Sequence, residues 1–180
     1  DARIQQIVKL ARFLQELAKG RQPSYQLLEI LSFDFWQLPA EMIIEAVSEV
    51  SRSPRDTLEY LQGSPELEKV AGLLAELVKR SFSAPLELWL DFLLGNQKMD
   101  EQKMPISEFY EKTLSTAELL EFYENLASLR QAISAHIQSE YVKRNDFIPK
   151  LPELVATVND FEEAETAITR ISIYRDSSNS

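Results

Sequence analysis

The sequence predicts an all-α domain, and three observations carry that prediction. Only 4 glycines occur in 180 residues, whereas Leu, Glu, Ala and Gln abound; glycine is the residue that tight β-turns need most. Apolar residues recur at three- and four-residue spacing along most of the chain, the period of a helix with one buried face. Between these stretches stand Ser, Pro and Gly at positions that start or stop helices.

The first helix is predicted over 3–19, where Ile4, Ile7, Val8, Ala11, Leu14 and Leu17 share a face and Gly20 stands at the C′ position. Pro23 and Ser24 introduce a short helix over 25–31. Phe33, Phe35 and Trp36 follow without helical period, so 33–38 reads as a tucked connection whose rings fill the core. Pro39 suits the start of a helix carrying Met42, Ile43, Ala46 and Val50. Ser53-Pro54 predicts a further short helix through Thr57, Leu58 and Leu61, stopped by Gly63.

Ser64, Pro65 and Glu66 form a strong helix start, with a capping hydroxyl, a proline at N1 and an acid in the first turn. That helix runs through Val70, Leu73, Leu74, Leu77 and Val78. Ser83 and Pro85 restart the chain for a helix over 86–94, ended by Gly95. The segment 96–105 is polar and charged and reads as a surface loop. Ser115 or Thr116 caps the longest helix, with a stripe of Leu119, Phe122, Tyr123, Leu126, Leu129, Ile133 and Ile137. Pro149 and Pro152 break the pattern before an acidic amphipathic helix over 152–165. The expectation is about eight helices in one irregular domain, with no internal repeat.

Composition narrows the chemistry. A chain of this length buries roughly 70% of its unfolded surface, and 44% hydrophobic with 27% charged residues is ordinary for a globular domain. Cysteine is absent, which excludes disulfides and thiolate metal sites. No apolar run approaches the roughly 20 residues that span a bilayer, and the expected compartment is the cytoplasm. With 19 basic against 29 acidic residues the net charge is −10. That balance argues against a strong nucleic-acid clamp, which would neutralise phosphates with Lys and Arg.

Motifs for catalysis fail one by one. The glycines stand far apart, so no glycine-rich turn cradles a phosphate. His136 is the single histidine, at the edge of an apolar stripe, where a structural role is the simpler reading. Its neighbours Ser134 and Ser139 add nothing specific. Ile133, three residues before His136, is where a bundle metal site would place Glu, so the Glu-x-x-His spacing is missing. Asp160, Glu162, Glu163 and Glu165 read as a solvated acidic face, as do Asp100 and Glu101 in the loop. No catalytic, cofactor or metal site is expected in this segment.

Basic residues form small sets: Lys19 with Arg21, Arg52 with Arg55, Lys79 with Arg80, and Lys143 with Arg144. Lys79 and Arg80 fall in the last turn of a helix, where cations favour the dipole. Lys143 and Arg144 follow Tyr141 at a helix-to-loop transition that suits a phosphate contact. These four are the candidate DNA-backbone contacts.

The tail also points outward. Ile171-Ser-Ile173-Tyr alternates like the start of a strand, and Asp176-Ser-Ser-Asn-Ser follows. With Asp1 opening almost directly into a helix, the expectation is a domain taken from a longer protein.

Three stretches then carry a resemblance: Arg3-Ile-Gln-Gln-Ile-Val-Lys-Leu-Ala-Arg-Phe-Leu-Gln-Glu-Leu, Tyr25-Gln-Leu-Leu-Glu-Ile-Leu-Ser-Phe-Asp-Phe-Trp-Gln-Leu-Pro, and Leu151-Pro-Glu-Leu-Val-Ala-Thr-Val-Asn-Asp-Phe-Glu-Glu-Ala-Glu. Their order resembles the 2B subdomain of superfamily 1 DNA helicases of the UvrD, Rep and PcrA type. They are similar to that insertion's opening helix, its following helix with an aromatic segment, and its exit helix.

The resemblance implies a helical accessory domain over 1–170 and an exit linker over 171–180, inserted in a RecA-like motor domain. It implies a non-catalytic role: rigid-body movement, with contact to duplex or forked DNA or to partner proteins. ATP and Mg would belong to the motor domains of the parent, and the isolated domain would be a monomer. One departure is that this sequence has no Gly-x-Gly, the turn with which several members touch duplex backbone. The alternative from another class is a free-standing helical adaptor that binds a protein through a groove and has no DNA role.

Overall fold

A computed structural model of the chain describes residues 1–52, 56–59, 61 and 64–143; at 137 and 139–143 it describes the backbone alone. Among them are seven α-helices and one 3₁₀ turn: α1 Ala2–Ala18, α2 Ser24–Leu31, the turn Asp34–Trp36, α3 Ala40–Arg52, α4 Pro65–Ser81, α5 Leu86–Leu94, α6 Ile106–Thr113 and α7 Thr116–Lys143. The described residues contain no strand, only an isolated bridge between Met99 and Gln102. The all-α expectation holds for this part of the chain. The predicted acidic helix over 152–165 and the linker over 171–180 lie outside the described residues, as does part of the predicted helix around Ser53-Pro54.

Helix α1 is the axis of the domain, packing on α2, α4 and α7. That explains why its buried face is wider than the predicted stripe, adding Leu10 and Phe13 to Ile4, Ile7, Ala11 and Leu14. At its start the Asp1 carboxylate accepts from the Arg3 amide at 2.7 Å. At its end the Gly20 amide donates to Leu17 O and the Arg21 amide to Glu16 O, both at 3.0 Å. This is a Schellman closure, and it needs the left-handed φ of +75° that Gly20 adopts.

The aromatic connection folds as its composition suggests. Phe33, Phe35 and Trp36 are buried and stack in tilted contacts, Phe35 against Trp36 at 5.0 Å between centroids. The Trp36 indole donates to Ile30 O at 2.9 Å, which satisfies the one polar atom that its burial would strand. A second indole does the same: Trp89 of α5, fully buried, donates to Leu77 O of α4 at 2.9 Å. Ser64 caps α4, its hydroxyl accepting from the Leu67 amide at 3.2 Å. Ser115 caps α7 in a reciprocal box, since Glu118 accepts from the Ser115 amide at 2.9 Å. The Ser115 hydroxyl and amide hold the Glu118 carboxyl below the usual carboxylate range.

Two expectations need correction. The segment 96–105 is not a plain surface loop: Met99 and Met104 are fully buried, and Gly95 closes directly on the Met104 backbone. The unbranched thioethers are long enough to reach the core from an irregular backbone. Beyond it lies α6, which was not predicted. Its apolar positions are Ile106, Phe109 and Tyr110, too few for a periodicity window to register. In α7 the stripe holds at Phe122, Leu126, Leu129 and Ile133, but Tyr123 stands outside it, donating its hydroxyl to Glu111 at 2.7 Å. All seven helices contribute to one hydrophobic core.

Candidate interaction surface

The predicted cations part company in the structure. Arg80, half-buried near the end of α4, meets Glu76 at 2.9 Å and Asp100 at 3.3 Å, and lies 4.7 Å over the Phe92 ring. Its guanidinium therefore ties α4 to α5 and to the 96–105 segment, and a phosphate would compete with two carboxylates for it. Lys79 is exposed beside it. Lys143 ends α7, and its side chain lies outside the described residues, as does Arg144. Helices α4 and α7 each pack on α1.

Several other charged groups are held by neighbours. Glu16 binds Lys19 and Arg21, Glu108 binds Lys103 and Lys112, and Asp91 binds Arg130 across α5 and α7. The Lys112 hydrogen bond and charge hold the Glu108 carboxyl below the usual carboxylate range. His136 is half-buried on α7, and Ser134 donates to Glu87 at 3.0 Å. Residues two apart on a helix do not face each other, so Ser134 and His136 do not make a nucleophile–base pair. Among the described residues no group of three or more His, Asp or Glu could hold a metal ion. None of their helices is long and apolar enough to cross a membrane.

One concavity is an open groove of about 690 Å³ along α4, with Gly72 and Ala75 in its wall and Asp56, Glu59, Glu68 and Lys69 around it. It is broad, and the described residues that line it include no aromatic, unlike the enclosed apolar sites that grip small molecules.

What the surface does offer is apolar side chains in solvent. Tyr25 is 80% exposed, Ile44 61% and Leu28 48%, on the adjacent helices α2 and α3. Phe82 and Leu88 project near the α4–α5 turn, and Leu120 projects from α7. Sequence reasoning passed over Ile44, although the signal was there: it falls off the stripe of Met42, Ile43, Ala46 and Val50. Among relatives there is nothing to set beside this arrangement: no family model matches the chain, and no curated protein or solved structure matches it.

Proposed function

We propose that this chain is a non-catalytic helical accessory domain of an ATP-dependent DNA helicase, acting as a rigid body that touches partners or DNA. The observation that supports it best is the single core shared by all seven helices. Such a body moves as one piece, because close-packed interiors resist continuous deformation. The helicase setting rests on the resemblance of 3–17, 25–39 and 151–165 to the 2B subdomain. Its location would be the cytoplasm, and ATP and Mg would act on the parent's motor domains.

The encoding reading frame tests this setting. A G-x-x-x-x-G-K-[ST] loop upstream and a RecA-like motor strand downstream are required. A frame lacking both would end the helicase reading, and so would nucleotide hydrolysis by residues 1–180 alone. The free-standing adaptor is the second reading, favoured by the exposed Tyr25, Leu28 and Ile44. Forked-DNA titration separates the two: tight, salt-sensitive binding lost on replacing Lys143 and Arg144 favours the helicase domain.

A further inference from the structure

We draw no further inference here: the strongest candidate, the exposed apolar patch of Tyr25, Leu28 and Ile44 on α2 and α3, carries nothing because nothing in the structure shows what covers it.

Discussion

Replacing Gly95 with Ala should be the most damaging of three glycine substitutions, because the chain closes on it from the other side. Gly95 ends α5 at φ +84°, and a Cβ there would stand 1.9 Å from the Met104 carbonyl oxygen and 2.9 Å from its carbon. Both are backbone atoms, so no side-chain rotation relieves the clash. Left-handed backbone costs an L-residue about 1–2 kcal/mol, and overpacking adds about 1–3 kcal/mol, so Gly95→Ala should lose about 2–5 kcal/mol. Gly20 isolates the first term, because φ is +75° but nothing lies within 4 Å of its Cβ position. Gly20→Ala should lose about 1–2 kcal/mol. Gly72 lies inside α4 with open space around it, so Gly72→Ala should gain about 0.5–1 kcal/mol from helix propensity. Urea melts followed by far-ultraviolet circular dichroism give the three values, and melting temperatures should follow at about 2–4 °C per kcal/mol. Equal losses at Gly95 and Gly20 would refute the close approach to Met104, and a loss at Gly72 would refute the open face of α4.

Three further outcomes follow from the packing. Met104→Ala should lose about 2–5 kcal/mol despite its place outside any helix, because its side chain is fully buried; a loss below about 1 kcal/mol would return 96–105 to the status of a surface loop. Ser64→Ala should lose about 1 kcal/mol through the unpaired Leu67 amide, with Ser64→Gly costing less. Burial pushes the Tyr110 hydroxyl up from 10.0 to about 12. The folded state then holds that proton more tightly than the unfolded state. The stability it contributes is present below about pH 10 and lost as pH rises toward 12. Tyr110→Phe should flatten this alkaline loss in urea melts, and an unchanged slope would assign it to other groups.

Local chemistry made the helices legible. Ser64-Pro65, Ser115 or Thr116, and Gly20 and Gly95 each mark a terminus that the hydrogen bonds reproduce, with Ser115 as the cap of α7. What escaped depends on neighbours distant in sequence. Met99 and Met104 look polar by context because Lys98, Asp100, Glu101 and Lys103 surround them, yet both join the core, with Gly95 closing on the Met104 backbone. Arg80 reads in sequence as a cation on the helix dipole, and its ties to Asp100 and Phe92 come from other segments. Ile44 shows the reverse, an apolar residue that its helix turns outward. Lys143 and Arg144, the cations with the best sequence argument for DNA, lie at the edge of the described residues and beyond it.

The proposed accessory-domain role is tested most directly in the helicase that the proposal calls for, with residues 1–180 replaced by a short Gly/Ser linker. DNA-stimulated ATP hydrolysis and forked-duplex unwinding would be measured side by side. The account predicts that hydrolysis persists while the rate of unwinding changes. Loss of hydrolysis, or unwinding identical to that of the intact enzyme, would contradict it.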